Sequence, residues 1–202
     1  MKINTLILLF LFLAVGSKIF SQEKTNLNLL YNLADSSAIS IVKNLPSEQK
    51  KLGFNFVLGS DYDLFKDHLI TYFAGKKYKI FQPDKSVDVD SVLKIDYTFD
   101  NAGVTYGNTF RDGFLGKFKV RRNVTISGSY VINKNPIFAA KFNYAVSDTI
   151  NYGDIRELEN SSYPVTKGEI PPEPFFSNLL EPVIAVGSAV VVIFLFFTIR
   201  SK

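Results

Sequence analysis

The sequence contains no cysteine and no tryptophan, and it has one histidine and one methionine. Without cysteine there is no disulfide, no thiolate metal site and no lipid anchor through an N-terminal cysteine. With His68 as the only histidine, a multi-histidine metal site is excluded. Any Ser-His-Asp relay would have to run through it. An exported domain without disulfides rests on its hydrophobic core alone, which is ordinary for bacterial envelope proteins. Charge imbalance is also missing from the body of the chain. The formal charge is +4, yet Lys2, Lys18, Arg200 and Lys202 lie at the two ends, leaving 19 basic residues against 19 acidic ones between them. The basic character is therefore a property of the ends and marks no nucleic-acid surface.

What is present begins with apolar residues, 47% of the chain, of which aromatics make 14% of the total. That is ample for a packed core and unlike a disordered chain. Leu6 to Val15 form an apolar run behind Lys2, about half the roughly 20 residues of a bilayer span. Small residues follow at Gly16, Ser17 and Ser21, and cleavage after Ser17 or after Ser21 fits a secretory leader. A second apolar segment, Val183 to Ile199, carries no charge; Pro182 precedes it and Arg200 and Lys202 follow. The pattern predicts a membrane-spanning helix with a cytoplasmic tail and an extracytoplasmic domain, a single-pass type I arrangement. Ala185 and Ala189 permit close helix approach, so self-association through this segment is an open option. The expected organisation is a signal peptide over 1–21, a domain over 22–150, a proline-containing spacer over 151–181, a membrane helix over 182–199 and a tail over 200–202.

Within the domain, Leu29, Leu30, Leu33, Ala34, Ile41 and Val42 recur at helical spacing, and Pro46 ends the pattern. Leu52 to Leu58 alternates as a strand, and Tyr62 to Ala74 reads as a helix closed by Gly75. The rest is β: Tyr78 to Phe81, then Val92 to Phe99, turned at Asp100–Gly103 into Val104 to Phe110. Lys119 to Ile132 alternates over more than a dozen residues and turns at Asn133–Pro136 into Ile137 to Val146. The order predicts an α+β fold, two N-terminal helices packed on a mainly antiparallel sheet, followed by the spacer and the membrane helix.

The strand, the helix Asp61-Tyr62-Asp63-Leu64-Phe65-Lys66-Asp67-His68-Leu69-Ile70 ending at Gly75, and Lys76-Lys77-Tyr78-Lys79-Ile80-Phe81 resemble small bacterial envelope modules of the TolB N-terminal or CsgG kind. The resemblance covers about residues 50–100. It implies a periplasmic α/β module that serves as a docking platform in envelope assembly or secretion machinery.

Candidate chemistry is sparse. His68 lies near Asp61, Asp63 and Asp67, but no serine sits in a G-x-S-x-G elbow. Asp84, Asp88 and Asp90 lack the glycine and closing glutamate of a calcium loop. The loop Arg111 to Lys117 is no phosphate loop, because both flanks read as strands; its Phe114 and Leu115 are candidate partner contacts. Lys117, Lys119, Arg121 and Arg122 form a local basic cluster, and on an alternating strand Lys119 and Arg121 belong to the solvated face. No cofactor, metal or nucleic acid is expected. The sequence predicts a non-enzymatic, membrane-anchored envelope protein that binds or scaffolds another envelope component. Two other readings stay open: a membrane-anchored hydrolase using His68, and an accessory subunit acting through its membrane helix.

Overall fold

The computed structural model describes residues 23–81, 92–111, 113, 116–172 and 180–200. The leader and the tail residues Ser201 and Lys202 lie outside the described residues. Helix α1 (Asn26–Asn44) starts where the Thr25 hydroxyl accepts a hydrogen bond from the Asn28 amide. It stops ahead of Pro46, which biases Leu45 to the extended backbone observed there. Strand β1 (Lys51–Val57), helix α2 (Asp63–Gly75) and strand β2 (Lys79–Phe81) follow, then the long strands β3 (Leu93–Arg111), β4 (Phe118–Asn133) and β5 (Phe138–Asn151). They form one five-stranded sheet in the order β2-β1-β3-β4-β5.

Four α-helices are described, and the sheet is mixed, which corrects the expectation of two helices on a mainly antiparallel sheet. β1 runs parallel to both β2 and β3, whereas β3, β4 and β5 pair antiparallel. The physical reason lies in β1–α2–β2: parallel neighbours cannot be joined by a tight turn, and α2 is the crossover that joins them. The other two helices, α3 (Ile155–Leu158) and α4 (Leu180–Arg200), come after the sheet.

A second difference concerns Asp100–Gly103. No turn forms there; β3 continues through a register shift between Phe99 and Asn101. Before the shift the buried residues are Ile95, Tyr97 and Phe99, and after it they are Ala102 and Val104. One extra residue flips the phase, as a β-bulge does.

α1 and α2 lie on the face of the sheet formed by these residues with Phe54, Val124, Ile126, Tyr130 and Ile132, and together they enclose the core. Three tyrosine hydroxyls in the sheet hold α1 in register. Tyr106 accepts from Asn26 at 2.7 Å, Tyr97 bonds Ser37 at 2.6 Å, and Tyr130 bonds Ser40 at 2.9 Å. A buried phenol left unpaired costs about 1–3 kcal/mol, so sliding α1 by one turn would forfeit all three bonds together.

Of the expected spacer over 151–181, residues 151–172 are described as one stretch. Here Ile155 and Leu158 are buried against Val120 and Ile150, and Val165 joins the main core. Gly168 passes so close to β3 that a Cβ would lie 2.8 Å from the Val104 carbonyl oxygen, which only glycine permits.

The expected membrane span from Val183 to Ile199 is also corrected: among the described residues no helix is long and apolar enough to cross a membrane. The side chains of α4 are described over residues 182–198. The expected charge-free span, Val183 to Ile199, covers ~26 Å at ~1.5 Å per residue against a hydrocarbon core of ~30 Å. The single-pass topology, the cytoplasmic C-terminus and the membrane as a partner fall with it. Along α4, Val183, Phe194 and Phe197 are exposed, while the Ser188 and Thr198 hydroxyls bond the Ala185 and Phe194 carbonyls of their own helix.

Candidate functional site

His68, the one candidate for acid–base chemistry, is placed by α2 against α1. Its Nε2 lies 2.8 Å from Asp35 Oδ1, and its ring stacks on Tyr31 with centroids 4.0 Å apart and planes 1° from parallel. Tyr31 and Asp35 are one turn apart on α1 and so share a face. One imidazole therefore meets both, joining the two helices through a stack and a polar pair. Among the described residues no serine or threonine hydroxyl is hydrogen-bonded to the ring. The arrangement holds half of a relay without its nucleophile.

The most buried charge belongs to Arg122, whose side chain is 0% exposed. Its Nε donates to Asp148 Oδ1 at 2.8 Å and its Nη2 to Asp148 Oδ2, giving a bidentate pair across β4 and β5. Its Nη1 donates to the Lys24 carbonyl and to Asn26 Oδ1, both at 2.8 Å. The fully buried Asn26 passes the network on, donating to the Tyr106 hydroxyl and, at 2.8 Å, to the Thr166 carbonyl. Burial pushes the Tyr106 phenol up to about 12, with the Asn26 hydrogen bond opposing the shift. Nearby, burial followed by the proximity of Asp154 raises the Glu23 carboxyl. This network ties the entry to α1, the three long strands and the 155–168 segment into one unit. Four of the five Arg122 N–H groups are bonded and the side chain is 0% exposed, so the group is structural.

Sequence reasoning grouped Arg122 with Lys117, Lys119 and Arg121 as a basic cluster. The structure separates them: Lys117 and Arg121 are exposed, Lys119 is half-buried, and Arg122 is inside. The signal was available, since Arg122 occupies the inward phase between Val120 and Val124. Asn26 could have been found likewise, as it falls on the stripe of Leu29, Leu30 and Leu33.

The other face of the sheet is uncovered by any helix among the described residues. Its positions follow from the register: Thr98 beside Ser129 and Lys141, Asn101 beside Ser127 and Asn143, Gly103 beside Thr125 and Ala145, Thr105 beside Asn123 and Ser147. These residues are exposed or half-buried. Over this central area the side chains are short and neutral apart from Lys141. Neighbours order one another: Ser147 donates to Asn123 Oδ1 at 2.9 Å, and at one end Asp96 accepts from Asn55 and Asn133, each at 2.9 Å.

Phe114 and Leu115 lie outside the described residues, as do Asp84, Asp88 and Asp90. Among the described residues no group of three or more His, Cys, Asp or Glu could hold a metal ion. Val183 is exposed on α4, and the side chain of Ile199 is outside the description.

No protein-family model and no curated protein matches this chain. Among solved structures, a minor lipoprotein from Acinetobacter baumannii aligns at 15% identity, covering 53% of this chain and 69% of that one, with a TM-score of 0.31. A neuraminyllactose-binding hemagglutinin homologue from Helicobacter pylori aligns at 13% identity over 60% of this chain and 80% of that one, with a TM-score of 0.28. At such scores they carry no argument about what the chain does.

Proposed function

We propose that this chain is a non-enzymatic binding or scaffolding module of a bacterial envelope, and that the uncovered sheet face is the surface it offers to another envelope protein. The observation that carries the reading is the composition of that face. A merely solvated sheet face is normally rich in long charged side chains, which keep it soluble and discourage association. Here the centre is Thr98, Thr105, Asn123, Thr125, Ser127, Ser129, Asn143, Ala145 and Ser147, with Lys141 as its one long charged side chain. Short side chains lose little rotamer entropy on burial, and hydroxyl and amide groups both donate and accept. Such a surface is cheap to order against a partner and able to satisfy its polar groups. The secretory pattern of Leu6 to Val15 supports the envelope address.

The test is crosslinking and pull-down of the full chain from native envelope preparations, with and without Thr125→Lys plus Ser127→Lys. The reading expects a specific adduct that the double substitution removes while the melting temperature stays within about 3 °C. Recovery of the chain alone at every level of crosslinker contradicts it.

The hydrolase reading keeps one specific observation, the His68–Asp35 pair. His68→Ala separates the two. The broken stack and pair cost about 1 kcal/mol of stability in either case, but a hydrolase loses its activity, whereas the binding reading expects partner capture to be retained.

A further inference from the structure

On the helical side, Ile39 of α1 is 44% exposed and stands between two hollows. One, of about 340 Å³, lies between the helix ends and is lined by Ile39, Val42, Lys43, Tyr72, Lys76 and Tyr78. The other, of about 310 Å³, continues along α1 to Tyr144 on β5 and shares Ile39 and Lys43. Both sit at the small end of the ~300–1,000 Å³ range of ligand sites; the first is walled mainly by Ile39, Val42, Tyr72 and Tyr78, the second by Ser36 and Ser40 with Ile39 and Tyr144.

Ammonium groups ring the first hollow. Lys43 and Lys76 line it. Lys76 Nζ lies 5.7 Å from the Tyr72 ring centroid and Lys50 Nζ 5.6 Å from that of Tyr78. All three lysines are exposed, and among the described residues none is paired with a carboxylate. Of the nearby acids among the described residues, Asp35 is held by His68, and Glu48 sits in the neighbouring Pro46–Gln49 turn. Three cations with no carboxylate partner among the described residues thus converge on an apolar hollow. Lysines at helix C-termini have a local reason, the helix dipole. That reason does not require an aromatic floor between them or an exposed isoleucine dividing it.

We infer that the paired hollows dock an acidic segment of a partner protein, with apolar side chains entering on either side of Ile39 and carboxylates meeting Lys43, Lys50 and Lys76. Two features select a peptide over a lipid surface. The site is concave, so a flat bilayer would leave it unfilled, and its two compartments are divided by a single side chain, which suits anchors spaced along one chain. The site lies across the helix layer from the open sheet face, and it stands or falls independently of it.

The experiment measures binding of a labelled nonapeptide of alternating glutamate and leucine to the full chain by fluorescence anisotropy. The lysine–leucine peptide is the charge-reversed control, and phosphatidylglycerol vesicles are the lipid arm. Saturable, salt-sensitive binding of the acidic peptide is expected, weakened roughly tenfold by Lys43→Glu plus Lys76→Glu and at least as much by Ile39→Asp. Lys43→Gln plus Lys76→Gln removes the charge without placing acids at helix ends, so it guards against misfolding and should weaken binding about fivefold. Equal binding of the lysine–leucine peptide, indifference to these substitutions, or association with the vesicles alone overturns the inference.

Discussion

Two faces of the same three strands are made from different chemistry. On the covered side β3 and β4 present Ile95, Tyr97, Phe99, Val124, Ile126 and Tyr130, all at most 5% exposed. On the open side the alternate positions of the same strands are Thr98, Thr105, Asn123, Thr125, Ser127 and Ser129. The difference separates two kinds of constraint. Burial under α1 and α2 dictates the first set, because each position must fill space and satisfy its polar atoms. Nothing in the fold demands that the second set be short and neutral, so its composition is the better pointer to function.

The largest expected effect that sharpens this contrast is at the helix–sheet core. Phe65→Ala should cost about 3–5 kcal/mol, whereas Thr125→Ala on the open face should fall within about 0.5 kcal/mol, both read from urea unfolding. Next comes Arg122→Ala, expected to cost about 3 kcal/mol because it leaves the buried Asn26 carbonyl oxygen without its donor and opens a cavity, while Asp148, 40% exposed, turns to water. A loss below about 1 kcal/mol would mean that the buried network is incidental. Gly128→Ala probes a place where the covered face has no side chain of its own. A Cβ there would lie 2.2 Å from the Thr98 carbonyl oxygen and 2.6 Å from Phe142 Cζ, so a loss of about 2 kcal/mol is expected in the same assay.

The smallest effect is alkaline. Burial raises the Tyr97 phenol well above its ordinary value and Tyr106 to about 12. In the unfolded chain both ionise near 10. Above that pH the folded chain binds more protons than the unfolded one, so stability is full below it and falls as pH rises toward 12. Urea midpoints at about pH 8 and 11 should show this loss, and Tyr106→Phe should reduce it. An unchanged pH dependence in that variant would show that Tyr106 is not its source.

Much of this contrast was legible in the sequence. Period-two alternation in β4 assigned Val124, Ile126, Tyr130 and Ile132 inward and Thr125, Ser127 and Ser129 outward before any coordinates. The helices α1 and α2 were legible for the same reason, since their apolar stripes recur at helical spacing. Other features were not. The bulge at Asp100 resembled a turn because Asp-Asn-Ala-Gly carries turn chemistry, and only pairing with β4 reveals that the strand continues. β1's two parallel partners depend on long-range pairing that no local pattern encodes. The burial of Ile155, Leu158 and Val165 was obscured by surrounding proline and polar residues. The hollows beside Ile39 bring α1, α2 and β5 together across residues 36–144, a juxtaposition outside the reach of spacing rules.

The most direct measurement of the central claim places a photo-crosslinking residue at Thr125 of the full chain in its native envelope. The account predicts an adduct with one protein partner that Ser127→Lys plus Asn143→Lys abolishes and Ile39→Asp leaves intact. No adduct from Thr125, or one indifferent to the open-face lysines, would contradict it.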